Sequence, residues 1–137
     1  MKKLLKSGED YLEAIYTLLQ KSDHAHSVDI AKALGVSKPS AFKAMQNLAE
    51  QGYIVKENYG AVTLTEKGRS QAKAILKKHK AIRTLLIDVL KVSPQNAETD
   101  ACKIEHCIGA ETTEKLFEFL KTEYANEKNQ NDNTNPR

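Results

Sequence analysis

The sequence predicts a mainly α fold, with an N-terminal winged helix-turn-helix followed by an all-helical second domain. Two short helical segments separated by a glycine turn are followed by two short strand segments within residues 27–64, which is the order of a winged helix-turn-helix. After residue 65, apolar residues recur only at helical spacing. We expect domains at 1–70 and 71–125, and a disordered Asn-rich tail at 126–137 that lacks large apolar residues.

Three helices are predicted before the strands. Apolar residues at helical spacing predict the first helix, at about 7–20. Ser27 caps the second helix, which stops at Gly35, and Ser37 caps the third, which has Pro39 in its first turn. The apolar residues of this region suffice for one shared core, and its expected members are Ile30, Leu34, Val36, Met45, Leu48 and Ile54.

Three further helices are predicted after the strands. Thr65 caps a long helix that runs to about Leu90, and the Ser93-Pro94 pair begins another that ends near Gly109. A last amphipathic helix spans about 111–125. These helices make up the predicted second domain.

The third helix and the two strands predict a DNA-binding surface. The strands, at 53–57 and 61–64, are joined by a hairpin turn at 58–60 that forms the wing. Recognition helices meet base edges and phosphates through their N-terminal half, where this helix offers hydroxyls and lysines. The predicted contact residues are Ser37, Lys38, Pro39, Ser40, Lys43, Lys56, Asn58 and Tyr59. This helix carries no arginine, so we expect its sequence selectivity to lean on DNA shape and apolar contacts.

Charge and composition favour a polyanionic partner for the first part of the chain. Residues 1–80 hold 14 Lys/Arg and 8 Asp/Glu, whereas residues 81–137 hold 7 and 10, within a net charge of +3. No apolar run approaches the roughly 18 residues of a membrane span, and the N-terminus becomes charged too early for a signal peptide. The two cysteines imply no oxidising compartment. We therefore expect a cytoplasmic protein with no membrane partner.

Six side chains with metal-ligand chemistry lie on both sides of this DNA-binding element. They are Asp10, Glu13, His79, Cys102, Glu105 and His106. The first two are spaced i, i+3 and the last three i, i+3, i+4, so each group shares a helix face. Carboxylates, imidazoles and one thiolate suit a borderline divalent transition metal better than calcium or magnesium. Each residue alone also has a structural explanation, as a first-turn acid, a solvated basic residue or a buried core residue.

Several segments resemble the diphtheria toxin repressor and manganese transport regulator family of metal-dependent repressors. The segments are EDYLEAIY, DIAKALGVSKPS, VTLTEKGR, KKHKAIR and DACKIEHCIG. The resemblance covers about residues 7–122. It implies an N-terminal winged helix, a helical dimerisation domain and a metal bound where the two domains meet. It also implies a homodimer that binds a palindromic double-stranded DNA operator when loaded. The sequence is expected to be a short form without the C-terminal SH3-like domain of longer members.

Residue by residue, the resemblance implies a hybrid ligand set. The residues that match ligands of the manganese branch are Asp10, Glu13, His79, Glu105 and His106. Cys102 matches a ligand of the iron branch, at a position where the manganese branch usually has glutamate. Arg83 stands where the iron branch has an ancillary acidic ligand, and Glu98 stands where it has histidine and can still contribute an oxygen. We infer a weakened or altered second site.

The sequence therefore predicts a metal-responsive transcriptional repressor, not an enzyme. Its expected cofactor is a divalent transition metal, with Fe(II) favoured because of Cys102, Mn(II) next, and Zn(II) or Co(II) binding in vitro. The genes it controls are expected to serve metal uptake or homeostasis. The open alternatives are a metal-independent winged-helix regulator that senses redox state or a small molecule through Cys102 or Cys107, a metalloenzyme, and a protein-interaction module.

Overall fold

The first helices form because their apolar side chains share one face. A computed structural model of the chain describes residues 6–124, so the predicted tail at 126–137 lies outside the described residues. Helix α1 (Lys6–Leu19) buries Tyr11, Leu12 and Ile15, which are spaced at helical intervals. None of the helices in the described part carries a stretch long and apolar enough to cross a lipid bilayer.

Helices α2 (Ser27–Leu34) and α3 (Lys38–Glu50) complete the helix-turn-helix. Gly35 ends α2 with φ +66°, a left-handed conformation that glycine adopts without steric cost. Ser37 caps α3, because its hydroxyl accepts a hydrogen bond from the Ser40 backbone N–H. The predicted core is confirmed except at Val36, which is 37% exposed because it lies in the turn after α2. The predicted cap of α2, Ser27, is instead its first helical residue.

The wing is a three-stranded antiparallel sheet in the order β1-β3-β2. Its strands are β1 (Ala25–His26), β2 (Ile54–Lys56) and β3 (Ala61–Leu64). Ile54 pairs with Leu64 in the β2–β3 ladder, and Ala25 pairs with Val62 in the β1–β3 ladder. The two predicted strands are therefore present, and the two-residue β1 was not predicted from the sequence.

The hydrophobic core of the N-terminal part lies among the three helices and the sheet. Its residues are Tyr11, Leu12, Ile15, Ala25, Ile30, Ala31, Ala41, Met45, Leu48, Tyr53, Ile54, Val62 and Ala72. Leu12, Ile15, Ile30 and Val62 are fully buried, so α1, α2 and β3 are held by contacts that exclude water. This packing fixes the orientation of α3 relative to the wing.

Helix α4 (Glu66–Thr84) continues into a π-helical turn at Leu85–Val89. The two elements together correspond to the long helix that the sequence predicts to about Leu90. The Thr65 hydroxyl accepts from the Gly68 N–H and donates to the Gly52 carbonyl, so it caps the helix as predicted. Contacts divide the chain into two units that meet in sequence at Leu76 and Lys77, within α4. The predicted domain boundary at 70/71 stays a prediction.

The second unit is built from the end of α4 and two more helices, so the mainly α fold is confirmed. Helix α5 (Pro94–Ile104) is capped by the Ser93 hydroxyl, and α6 (Ala110–Phe119) is followed by a π-helical turn to Tyr124. Its buried residues are Ala81, Ile82, Ala97, Ala101, Glu105 and Thr113. Helix α5 ends five residues before the predicted end, because Gly109 is the N-cap of α6 and not the end of α5. Glu105 and His106 therefore lie just after α5.

Candidate metal centre and nucleic-acid interface

The first turn of α3 presents polar side chains in a fixed arrangement. The Ser37 hydroxyl accepts from the Ser40 N–H at 3.2 Å and donates to the Ser40 hydroxyl at 2.8 Å. Lys38, Pro39 and Lys43 are exposed beside them, and the turn contains no acidic residue. A helix N-terminus flanked by lysines has the charge and donors that bind phosphate oxygens.

The tip of the wing presents the other predicted DNA contacts. Lys56 ends β2, and Asn58 and Tyr59 lie in the turn between β2 and β3. Tyr59 is 99% exposed and has φ +64°, followed by Gly60 at φ +75°, so two successive left-handed residues make the tight turn. All eight predicted DNA-contact residues are exposed in the first unit, and their contacts with DNA stay predictions.

Phe42 belongs to the same exposed surface, and the sequence analysis missed it. Its side chain is 50% exposed, and the ammonium nitrogen of Lys56 lies 4.1 Å from the centroid of its ring. The available signal was its position one residue after Ala41, because a step of 100° on the helix turns it away from the buried face. Phe42 connects α3 to the wing strand β2 through this cation–π contact.

A hollow lies beside the wing and is lined in part by the acidic residue Glu57. Its volume is about 510 Å³, and it is lined by His24, His26, Glu57, Asn58, Tyr59 and Ala61. The His24 Nε2 lies 3.0 Å from the Glu57 Oε2, with both side chains nearly half exposed. The hollow is open to solvent.

In the second unit, His79 of α4 contacts two carboxylates through its two ring nitrogens. Its Nδ1 lies 2.8 Å from Glu105 Oε2, and its Nε2 lies 3.1 Å from Glu98 Oε1. The Sγ of Cys102 lies 3.9 Å from Nδ1. The sequence separations are 19 to 26 residues, so the packing of α5 on the end of α4 brings these groups together.

The Glu98 carboxylate is shared between an imidazole and a guanidinium. Its Oε2 lies 3.3 Å from the Nε of Arg83, while its Oε1 contacts His79. Both members of the Arg83–Glu98 pair are about half exposed, so water screens their attraction. Arg83 nevertheless places a positive charge at the edge of this cluster.

Glu105 and His106 form a buried pair beside this cluster. The side chains are 1% and 2% exposed, and His106 Nε2 lies 3.2 Å from Glu105 Oε1. A buried carboxylate requires compensation by donors or cations. Glu105 Oε2 has such a neighbour in His79, whereas the approach of His106 Nε2 to Oε1 lacks hydrogen-bond geometry. A divalent ion at this place would compensate both groups.

The remaining two predicted ligands lie in the first unit. Asp10 and Glu13 are on α1, and both are partly buried. They are three residues apart on the helix, as the sequence analysis required for a shared face. Their role as ligands stays a prediction.

The donors of the second unit fit a divalent transition metal by their chemistry and spacing. His79, Glu98 and Cys102 each offer one donor atom, and these three atoms lie within 4.8 Å of one another. Ligands around such an ion are typically about 3–4 Å apart, given bonds of about 2.0–2.3 Å. Imidazole, carboxylate and thiolate together are the ligands of borderline metals. Neither Cys102 nor Cys107 is in a disulfide, which leaves the Cys102 sulfur available as a donor.

Two family profiles together match nearly the whole chain. The one described as iron dependent repressor, N-terminal DNA binding domain, matches residues 3–62. The one described as iron dependent repressor, metal binding and dimerisation domain, matches residues 65–130.

Individual relatives agree with these profiles. An uncharacterised HTH-type transcriptional regulator of Methanocaldococcus jannaschii is 40% identical over 118 residues, which are 85% of this chain and 94% of that protein. The transcriptional regulator MntR of Salmonella typhimurium is 35% identical over 113 residues, 82% of this chain and 71% of that protein. A solved manganese-dependent transcriptional repressor, in complex with manganese, matches with a TM-score of 0.75 at 30% identity. The match covers 83% of this chain and 52% of that one, so the chain spans about half the length of this solved structure.

The first unit is a winged helix whose recognition helix begins with exposed lysines. The second unit is helical and contains a cluster of imidazole, carboxylate and thiol groups. Together they define a DNA-binding regulator with a candidate metal centre. The chain belongs to the iron-dependent repressor family, which confirms the resemblance found in the sequence. It is a transcriptional regulator of that family and not an enzyme. DNA and a second copy of the chain are the partners that family membership supports.

Proposed function

We propose that this chain is a metal-responsive repressor that binds a palindromic operator as a homodimer when loaded with Fe(II) or, next in preference, Mn(II). The genes under its control would serve metal uptake or homeostasis. The observation that carries the proposal is the cluster of His79, Glu98, Cys102 and Glu105, in a family whose other domain binds DNA.

The proposed ligands have different support. In the second unit they are His79, Cys102, Glu105 and His106, with Glu98 as a further oxygen donor. His79 is suited to the role because one ring nitrogen can bind an ion while a carboxylate holds the other and fixes the ring. Asp10 and Glu13 are proposed on the resemblance to the family alone.

The proposed switch rests on charge. A bound divalent cation supplies positive charge that offsets the repulsion among the carboxylates. In the homodimer, the two recognition helices would meet successive major grooves about 34 Å apart. A coupling free energy of about 1–3 kcal/mol would change operator affinity about 5- to 150-fold, which is sufficient for a sensor.

Metal preference is proposed from Cys102. A thiolate favours softer metals, so Fe(II) suits the thiolate, carboxylate and imidazole set better than Mn(II). Zn(II) and Co(II) are expected to bind tightly in vitro because they lie further along the affinity series. Because Cys102 is exposed, its substitution is not expected to disturb the packing of the core.

Fluorescence anisotropy with the DNA upstream of the protein's own gene tests the proposal. Chelated protein is titrated at fixed salt, followed by protein given anaerobic Fe(II), Mn(II) or Zn(II). Tight binding only with metal, lost in His106→Ala, is the expected result. Equal binding with and without chelator would contradict the metal response and favour the metal-independent regulator.

Two cysteine variants make a matched pair for the metal preference. Cys102→Ala and Cys107→Ala each remove one exposed thiol, five residues apart. We expect Cys102→Ala to weaken activation by Fe(II) more than activation by Mn(II), and Cys107→Ala to change neither. The same metal ranking in Cys102→Ala as in the unmodified protein would refute the role of this thiolate.

A further inference from the structure

Phe42 is a half-exposed aromatic residue on the flank of α3, about 100° around the helix from the buried Ala41. Ala41, Met45 and Leu48 of the same helix are buried, whereas the Phe42 side chain is 50% exposed. Folding therefore leaves much of an apolar ring in water, and the contact with the exposed Lys56 side chain does not bury it. Phe42 lies in the segment that matches the DNA-binding domain of the family. A partner bound to this domain can therefore explain the exposed ring.

The surroundings of the ring are cationic. Lys38 and Lys43 of α3 are exposed near it in sequence, and the ammonium of Lys56 lies 4.1 Å from the ring centroid. The acidic residue that follows Lys56, Glu57, contacts His24 at 3.0 Å. This charge distribution is complementary to a polyanion. The partner that it favours for the surface around Phe42 is therefore nucleic acid and not the apolar groove of another protein.

Within a DNA groove, the ring can recognise one kind of group. A phenyl ring has neither a hydrogen-bond donor nor a conventional acceptor, so it cannot satisfy the polar edges of guanine, cytosine or adenine. The C5-methyl of thymine is the apolar group exposed in the major groove, and phenylalanine is among the side chains that contact it. The cation–π contact leaves the Lys56 ammonium beside the ring, where a backbone phosphate can replace part of its hydration.

We propose that Phe42 determines sequence specificity by contacting a thymine methyl in the major groove, while Lys56 binds the adjacent phosphate from the wing. This assignment rests on the proposed function, since it requires the metal-loaded protein to bind duplex DNA. It supplies an apolar base contact to an α3 that has no arginine for bidentate hydrogen bonding to guanine. Phe42 and Lys56 thereby act as one unit that joins the recognition helix to the wing.

The test uses thymine and deoxyuridine, which differ by this methyl group alone. Metal-loaded full-length protein first selects duplexes from a random pool, and each thymine of the selected site is then replaced by deoxyuridine. We expect replacement of the contacted thymine in one half-site to weaken binding about fourfold, the equivalent of one buried methyl group. Replacement in both half-sites should weaken binding about sixteenfold. Phe42→Ala should bind the thymine and deoxyuridine duplexes equally at that position, and Phe42→Leu should retain part of the preference.

Two matched variants separate the roles. Lys56→Ala should weaken binding to all sequences alike and lower the salt dependence by about one counterion per subunit, or about two per dimer, with the thymine preference retained. Val55→Ala, an exposed apolar residue next to Lys56, should change neither quantity. Thermal unfolding of each variant checks that the fold is intact.

The outcomes distinguish this assignment from the proposed function. If the unmodified metal-loaded protein selects no duplex, the proposed function fails and this assignment fails with it. If it binds DNA but ignores every replacement by deoxyuridine, or if Phe42→Ala keeps the thymine preference, this assignment alone is overturned. The exposed ring would then be assigned to a protein partner.

Discussion

The imidazole of His79 lies 2.8 Å from the carboxylate of Glu105, which is 1% exposed. The hydrogen bond to His79 orients this buried carboxylate before any ion binds. Preorganised donors of this kind raise metal affinity, because less has to be rearranged on binding.

Glu105→Gln is therefore expected to lower metal affinity. The substitution keeps the size of the side chain but removes the negative charge beside His79, so we expect the dissociation constant for Mn(II) or Co(II) to rise at least about tenfold. Calorimetric titration of the chelated protein measures it. Glu114→Gln, at an exposed position of α6, is the control, and equal dissociation constants in the two variants would contradict the role of Glu105.

Arg83→Gln is expected to raise metal affinity. Arg83 holds Glu98 by an ion pair of 3.3 Å and repels an incoming cation, so its removal should tighten binding by about fivefold or less for a half-exposed pair. Competition with a fluorescent chelator measures the change. Lys103→Gln removes another exposed cation, from α5, and should have a smaller effect. Weaker metal binding in Arg83→Gln would mean that Arg83 orders Glu98 instead of competing for it.

Gly68→Ala is expected to destabilise the first unit. A Cβ at this position of α4 would collide with the backbone carbonyl of Tyr53 and would also crowd Leu64. Because backbone cannot move aside as a side chain can, we expect a loss of about 1–3 kcal/mol in the free energy of unfolding. Urea denaturation measures it. Gly109→Ala is the control, since its Cβ would meet no atom within 4 Å, and similar midpoints for both variants would refute the collision.

Tyr11 is expected to reduce stability at alkaline pH. Burial raises the pKa of its phenol above 10.0, so above that pH the unfolded chain releases this proton more readily than the folded chain does. The free energy of unfolding should fall as the pH rises through this range, and Tyr11→Phe should remove part of the fall. Denaturant unfolding from pH 8 to 11 tests this, with Tyr59→Phe as an exposed control. An identical pH dependence in both variants would be evidence against the effect.

Much of the first unit could be predicted from local chemistry. The Ser37 cap, Pro39 in the first turn and the buried Ala41, Met45 and Leu48 all follow from side-chain type and helical period. Strand β1 could not be predicted in this way, because two residues are too few to show an alternating pattern. Such a strand exists only through its pairing with β3.

The metal-ligand cluster in the second unit could not be predicted from the spacing of residues along the sequence. His79 and Cys102 are 23 residues apart, and no local rule gives the distance between residues on two different helices. The resemblance to the family suggested the pairing, since it carries the tertiary arrangement implicitly. The Arg83–Glu98 ion pair likewise joins residues of two different helices, so its geometry required the structure.

Strand β3 is paired along both of its sides, by β1 and by β2. The strands left at the sheet margins contain only two and three residues, which is too short to recruit a strand from another molecule. Aggregation through edge-to-edge strand addition is thereby disfavoured for a protein whose wing must stay accessible. The short β1 thus does more than add Ala25 to the core, because it also covers an edge of β3 that would otherwise be open to strand addition.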